Sequence, residues 1–153
     1  MRTALAPTLI ATHSGLRGRP GVDLTPDVVD GVAGSLVAFL QAGVLPLTVA
    51  VARDERPGGI ELAGQAIESL RRRGIDVVDF GAVSTPTAKV AARAGGLGAA
   101  LVITGSHLEP DWNGIKLSSA PDFLPVDVRE LPPPADESGR RGALERNPHA
   151  ARV

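Results

Sequence analysis

The stretch A-A-L-V-I-T-G-S-H-L-E-P-D-W-N-G-I-K, residues 99–116, decides how the rest of this sequence is interpreted. It opens with five apolar residues, a run typical of a buried strand, and then breaks at the small polar residues T-G-S-H. A loop containing proline and glycine leads to a second short strand that begins at Ile115. Ligand sites in open α/β sheets gather at the carboxyl ends of strands, which makes Ser106 and His107 candidate site residues. The alternative is an ordinary β-turn built from common turn residues.

The composition favours a soluble domain and argues against several other classes of protein. A chain of 153 residues predicts one domain, and a hydrophobic content of 43% with only 3% aromatics predicts a Val-, Leu-, Ile- and Ala-rich core. The net charge of −1 argues against nucleic acid or a membrane surface as partner. The absence of cysteine excludes disulfides and thiolate metal sites. With no apolar run of about 18 residues and no signal-peptide pattern, we expect a cytoplasmic protein.

Apolar runs and helix signals alternate along the first two thirds of the chain. Strands are predicted at residues 8–12, 45–52, 75–80 and 99–103, and helices at 25–43, 62–70 and 85–93. The first and last helices begin with a capping threonine followed by proline, at Thr25-Pro26 and Thr85-Pro86. This alternation predicts an α/β fold with a largely parallel sheet and right-handed crossovers.

Polar residues follow three of the predicted strands. Because parallel strands end at the same edge of a sheet, we expect these residues to lie along one edge: Arg53, Asp54, Ser84, Thr85, Ser106 and His107. Three polar clusters at one edge indicate a functional site more strongly than any one of them.

Two cationic stretches are open to more than one interpretation. Residues 13–21, with Arg17 and Arg19 among three glycines, could hold an anion, although the local pattern favours a solvated connector. The three arginines at 71–73 end a predicted helix, where cations complement the helix dipole. We therefore predict a solvated helix cap there rather than a phosphate site.

The character of the sequence changes at Val126. Three consecutive prolines, at 132–134, are followed by mixed charges and few large apolar residues. This composition predicts a folded domain over residues 1–125 and a linker or disordered tail over residues 126–153.

Four stretches in chain order resemble motifs of the α-D-phosphohexomutases, the phosphoglucomutase/phosphomannomutase family. They are S-G-L-R-G at 14–18, V-A-V-A-R-D at 49–54 with Arg56, D-F-G at 79–81 with S-T-P at 84–86, and T-G-S-H at 104–107 with N-G-I-K at 113–116. Together they span roughly residues 8–117. The resemblance is to the first domain of the family and implies a three-layer α/β/α domain with a mostly parallel, mixed sheet.

The resemblance also implies a mechanism. Ser106 would be carried as phosphoserine, and the phosphate would move between the 1- and 6-hydroxyls of a hexose phosphate, with glucose 1,6-bisphosphate as phosphoryl primer. Ser106, as phosphoserine, would also be a ligand of Mg²⁺. Arg17 and Lys116 match catalytic and substrate-binding positions, and Ser14 a substrate-binding position. His107 would orient the phosphoryl group or transfer a proton, and the alternative is an ordinary loop histidine hydrogen-bonded to the backbone. Arg53 and Asp54 would hold the loops together beneath the site.

Two departures from the family pattern limit what this chain is expected to do alone. Leu108 and Glu109 replace the family's usual asparagine and proline. The Glu109 carboxylate would repel a phosphoserine and so oppose phosphorylation. Gly105 in place of the usual alanine is a milder change. The metal, sugar and phosphate loops of the family lie in three further domains. We therefore expect weak or no mutase activity from the chain alone. It would be either a fragment of a larger enzyme or one half of a split enzyme, whose partner chain would carry the missing domains.

The sequence leaves other functions open besides that of a phosphohexomutase. A non-catalytic binding or regulatory module, or a truncated remnant, would keep the fold and lose the chemistry. A serine hydrolase is disfavoured because Ser106 lacks the G-x-S-x-G elbow, and a P-loop enzyme because G-x-x-x-x-G-K-[ST] does not occur.

Overall fold

The computed structural model describes residues 8–105 and 108–146 of the chain. In chain order the elements are β1 (Ile10–Thr12), β2 (Gly15–Gly18), α1 (Pro26–Ala42), β3 (Thr48–Arg53), α2 (Gly59–Arg72), β4 (Asp76–Ala82), α3 (Thr85–Ala94), β5 (Ala99–Ile103), β6 (Asn113–Ser119), β7 (Leu124–Pro125), a 3₁₀ turn (Val128–Glu130) and β8 (Leu144–Arg146). Over these described ranges, no helix has the length and apolar character needed to cross a membrane.

The strands form one mixed sheet in the order β1-β2-β6-β5-β3-β4-β8, with β7 paired to β6. The neighbours among β5, β3, β4 and β8 are parallel, and the pairs β1–β2, β2–β6, β5–β6 and β6–β7 are antiparallel. The predicted α/β fold with a mixed sheet is confirmed. The solvated connector expected at residues 13–21 is wrong at its centre, since Gly15–Gly18 forms β2 and pairs with β6.

The helices cover both faces of the sheet and complete three layers. Buried residues of α1 and α2 share one core with β3 and β5 side chains such as Val49, Val51 and Leu101. The alanine-rich α3 packs on the opposite face against Ala50 and Val102. The Thr25 hydroxyl caps α1 by accepting from the Val28 N–H at 3.3 Å, as predicted. For α3 the cap is Ser84, one residue earlier than expected.

The segment from Val126 does not form the expected linker or disordered tail over its described length. Residues 126–146, hereafter the C-terminal strap, run back across the domain. Val126, Val128 and Leu131 are 8%, 2% and 5% exposed and belong to the main core. The strap then ends in β8, which pairs in parallel with β4. The prediction was wrong because a few apolar residues among prolines show no sustained periodicity, although the three named above are buried. Residues 147–153 lie outside the described part.

The three arginines at the end of α2 hold this strap, so the solvated cap predicted for them is also wrong. The Arg73 side chain is 7% exposed and donates to both carboxylate oxygens of Asp30, at 2.8 and 3.2 Å, and to the Ala135 carbonyl at 2.8 Å. Arg71 donates to the Gly142 carbonyl at 2.9 Å, and Arg72 pairs with Glu137 at 3.1 Å. A run of cations at a helix end shows its role only when its distant partners are known.

Candidate functional site

The parallel strands β5, β3 and β4 bring the predicted polar clusters to one edge of the sheet. Arg53 and Asp54 lie at the end of β3, and Ser84 follows the neighbouring β4. Thr104 and Gly105 follow β5 on the other side of β3. The candidate residues Ser106 and His107 come next in the chain and lie outside the described residues.

Asp54 links two of the loops at this edge. Its Oδ2 accepts from the Gly105 N–H at 2.9 Å, and its Oδ1 accepts from the Arg56 N–H at 3.0 Å. The Asp54 backbone N–H donates to the Ile103 carbonyl, also at 2.9 Å. One carboxylate therefore fixes the position of the chain directly before Ser106 relative to the loop between β3 and α2.

Arg56 strengthens the same connection from the other direction. Its Nη1 donates to the carbonyl oxygens of Glu109, at 2.7 Å, and of Trp112, at 3.2 Å. The guanidinium also lies against Gly105, where a Cβ atom would overlap it. An alanine at this position would therefore require the Arg56 side chain to shift.

Replacing Asp54 with alanine is expected to lower the free energy of unfolding by about 1–3 kcal/mol, because two backbone N–H groups lose a charged acceptor. Urea denaturation followed by circular dichroism measures the change. Asp111→Ala is the matched control, since Asp111 is an exposed carboxylate in the loop before β6 and should change stability by no more than about 0.5 kcal/mol. Equal effects of the two substitutions would contradict the linking role of Asp54.

Ser14, Arg17 and Lys116 lie together on the sheet face that α3 covers. Leu16 of β2 and Ile115 of β6 pair and point into the core on the other face, so the neighbouring Arg17 and Lys116 point towards the α3 side. Arg17 Nη2 donates to the Ser14 hydroxyl at 3.4 Å. The three residues predicted to bind substrate are therefore neighbours in the fold.

Gly15 allows the close approach on which this arrangement depends. Its φ is +142°, and a Cβ atom there would lie 2.5 Å from the Ile115 carbonyl oxygen and 3.2 Å from Cγ of Lys116. Any larger residue would push β2 away from β6 and separate Ser14 from Lys116. The glycine of the S-G-L-R-G motif is thus required by packing.

A cavity of about 130 Å³ opens between α3 and β6 on this face. Its polar lining consists of Ser14, Thr85, Lys89, Lys116 and Ser118. Sequence reasoning missed Lys89 because α3 was considered only as an alanine-rich packing helix. The signal was available: Lys89 follows Thr85 by four residues and so lies on the same face of α3.

The cations near this cavity differ from the others in the described residues. Most arginines there have a carboxylate within 4.0 Å, including Arg93 one turn further along α3. Within ranges 8–105 and 108–146, four cations form no such ion pair: Arg17, Arg53, Lys89 and Lys116. The domain therefore concentrates unneutralised positive charge on the α3 face and the adjoining sheet edge.

Acidic and histidine side chains do not assemble into a metal site in the part of the chain that the structure describes. No group of three or more His, Asp or Glu residues there could hold a metal ion. Mg²⁺ takes oxygen ligands and usually needs one or two carboxylates. The ligand that the resemblance implies for this chain, Ser106 as phosphoserine, lies outside the described residues, and none of the chemistry below is routed through a metal.

Comparison with known proteins identifies the domain. Residues 9–124 match the family model for phosphoglucomutase/phosphomannomutase, alpha/beta/alpha domain I. The chain belongs to the phosphoglucomutase/phosphomannomutase family. The matched residues contain β2, β6 and the edge of the sheet described above, and the strap begins just beyond them.

Among curated relatives, a probable phosphoglucosamine mutase of Methanopyrus kandleri is 41% identical over 120 residues, 77% of this chain and 26% of that protein. A phosphomannomutase/phosphoglucomutase of Pseudomonas aeruginosa is 37% identical over 127 residues, 81% of this chain and 27% of that protein. A crystal structure of a family member from Burkholderia thailandensis superposes with a TM-score of 0.78 and 29% identity, covering 97% of this chain and 35% of that one.

The chain thus spans about a quarter of the length of the curated relatives that it matches. What it shares with them is domain I of a phosphohexomutase. Their names place them among isomerases of carbohydrate metabolism.

Proposed function

We propose that this chain is the phosphoryl-carrying domain of a phosphohexomutase, with Ser106 as the carrier. The observation that supports it most is a set of cations that have no carboxylate partner among the described residues: Arg17, Lys89 and Lys116, on one face beside the edge that leads to Ser106. Such a surface favours an anionic ligand, and a hexose phosphate is the anion that the relatives' names suggest.

The proposed chemistry is a transfer in two balanced steps. Phosphoserine 106 gives its phosphoryl group to a free hydroxyl of the hexose monophosphate: an O–P bond to the sugar forms, the Ser106 O–P bond breaks, and the hydroxyl proton passes to the serine oxygen. After the bisphosphate turns around, Ser106 takes the other phosphoryl group by the reverse step. Arg17 and Lys116 stabilise the negative charge on the moving group, and Ser14 helps to position the substrate.

The test is phosphorylation of the 153-residue chain itself. Intact mass and phosphopeptide mapping are measured before and after incubation with glucose 1,6-bisphosphate in a Mg²⁺ buffer. We expect one added phosphoryl group on Ser106 and none on the Ser106→Ala chain. Ser84→Ala, which removes an exposed serine at the same sheet edge, is the matched control and should still be phosphorylated.

A folded chain that takes up no phosphate on Ser106 would overturn this proposal and favour the non-catalytic binding module. Leu108 and Glu109, which replace the family's usual residues, would then account for the loss. Mutase turnover by the chain alone is expected to be weak, because positioning of the substrate contributes up to roughly 7–11 kcal/mol in well-oriented reactions and this chain offers a quarter of the relatives' length.

A further inference from the structure

We propose that the cavity between α3 and β6 binds one phosphate group and that Lys89 is a phosphate-binding residue of this chain. Lys89 belongs to none of the motifs on which the resemblance rests. The inference deepens the proposed function, on which it rests for the identity of the sugar, and adds a binding residue on α3.

The size and lining of the cavity fit a tetrahedral oxyanion. Its volume is about 130 Å³, and an apolar cavity of about 150 Å³ holds benzene, which has one more heavy atom than phosphate. Two lysines line it, Lys89 from the helix and Lys116 from the sheet. No carboxylate lines the cavity.

The hydroxyl groups of the lining add donors that lack other partners. Ser118 is 2% exposed, and its side chain forms no hydrogen bond within the described ranges. Thr85, at the first turn of α3, is half-buried and also lines the cavity, and its hydroxyl forms no side-chain hydrogen bond within the same ranges. An oxygen of a ligand in the cavity would accept a hydrogen bond from Ser118 or Thr85.

The two lysines also lack any neutralising group in the described chain. Neither Lys89 nor Lys116 forms an ion pair or a side-chain hydrogen bond there, whereas Arg93 on the same helix pairs with Asp122 at 3.6 Å. An anion in the cavity that both residues line would offset both positive charges. A phosphate would satisfy both lysines and the two hydroxyls in one step.

The experiment is a ³¹P NMR titration of the full chain with inorganic phosphate and, separately, with glucose 6-phosphate. Lys89→Gln is expected to weaken binding of both ligands by about tenfold, the factor expected for one charge-assisted contact. Lys89→Arg should restore most of the affinity. Arg93→Gln removes one positive charge from the same helix outside the cavity and should leave the affinity within about twofold, since an exposed charge there acts only through screened, long-range attraction.

Three outcomes would overturn the inference: unchanged affinity in Lys89→Gln, equal weakening in Arg93→Gln, or no phosphate binding by the folded wild-type chain at millimolar concentration. Binding of glucose 6-phosphate tighter than inorganic phosphate would identify a phosphorylated sugar as the ligand, and equal affinity would identify the phosphate group as the whole determinant. Failure of the proposed function is detected separately, as absence of phosphate on Ser106 in the mass measurement.

Discussion

A chain that ends after Pro125 is expected to be unfolded or close to unfolding at room temperature. Deleting the C-terminal strap removes the buried side chains of Val126, Val128 and Leu131. At about 1.5–3 kcal/mol for each buried aliphatic side chain, this loss alone reaches about 5 kcal/mol or more. The whole free energy of unfolding of a typical domain is only about 5–15 kcal/mol.

Polar contacts enlarge the expected effect. The Val77 N–H loses its acceptor, the Ala143 carbonyl at 2.8 Å, when β8 is absent. Arg141 no longer pairs with Glu68, at 2.6 Å, and Arg73 no longer donates to Ala135. The edge of β4 and the end of α2 would be left with unsatisfied groups.

Urea denaturation followed by circular dichroism tests this expectation. The control is a chain that ends after Arg146, which keeps every contact of the strap described above and should unfold at the same urea concentration as the complete chain. If the chain that ends at Pro125 also keeps that midpoint, the strap contributes nothing to stability and the boundary predicted from composition was the physically relevant one.

Replacing Arg73 with alanine is expected to lower the free energy of unfolding by about 2–3 kcal/mol. Breaking a fully buried ion pair costs roughly 3–5 kcal/mol. The loss expected here is smaller because the Asp30 side chain is 40% exposed. Besides Asp30 and Ala135, the Arg73 Nη1 donates to the Ser69 hydroxyl at 2.7 Å, so three groups lose a donor together. The melting temperature should fall by roughly 5–10 °C for a domain of this size.

The matched control is Arg72→Ala. Arg72 is the adjacent arginine and also pairs with Asp30, at 3.0 Å, but its side chain is 39% exposed. Exposed ion pairs contribute about 0–1 kcal/mol, so this variant should lose no more than that. Equal losses in the two variants would contradict the view that burial of Arg73 determines its contribution.

The same pair makes stability depend on pH in the acid range. The hydrogen bond from Arg73 holds the pKa of the Asp30 carboxyl well below its ordinary value, and burial opposes this only in part. Because the folded-state pKa is the lower one, the pair stabilises the fold above the unfolded pKa of about 4 and loses that contribution as the pH falls below it. Arg73→Ala should therefore show a shallower loss of stability on acidification, and an unchanged slope would contradict this cause.

The central part of the fold could be predicted because its signals are local. The capping threonine before Pro26 and the glycine at 43 mark the ends of α1, and continuous apolar runs mark β3 and β5. The same reasoning located the edge where Asp54 meets Gly105, since parallel strands end together.

The strap and its arginines could not be predicted because their signals are distant. Three prolines directly follow Leu131 and interrupt any regular pattern, and its burial depends on a core built mostly by residues that are distant in the chain. Whether Arg73 is a solvated cap or a buried anchor depends on Asp30, 43 positions away in the sequence. Lys89 could not be predicted for the same reason, because only the packing of α3 against β6 brings it to the cavity that Lys116 also lines.

The antiparallel pairing of β2 with β6 has a kinetic consequence. Leu16 and Ile115 are neighbours in the sheet although nearly a hundred positions separate them in the chain. Closing so long a loop is slow relative to forming the helices and the β3–α2–β4 unit, so Arg17 and Lys116 should meet only late in folding. An anion bound in the cavity between α3 and β6 would therefore bind only the finished domain. It would stabilise that domain against unfolding by an amount that rises with the logarithm of the anion concentration.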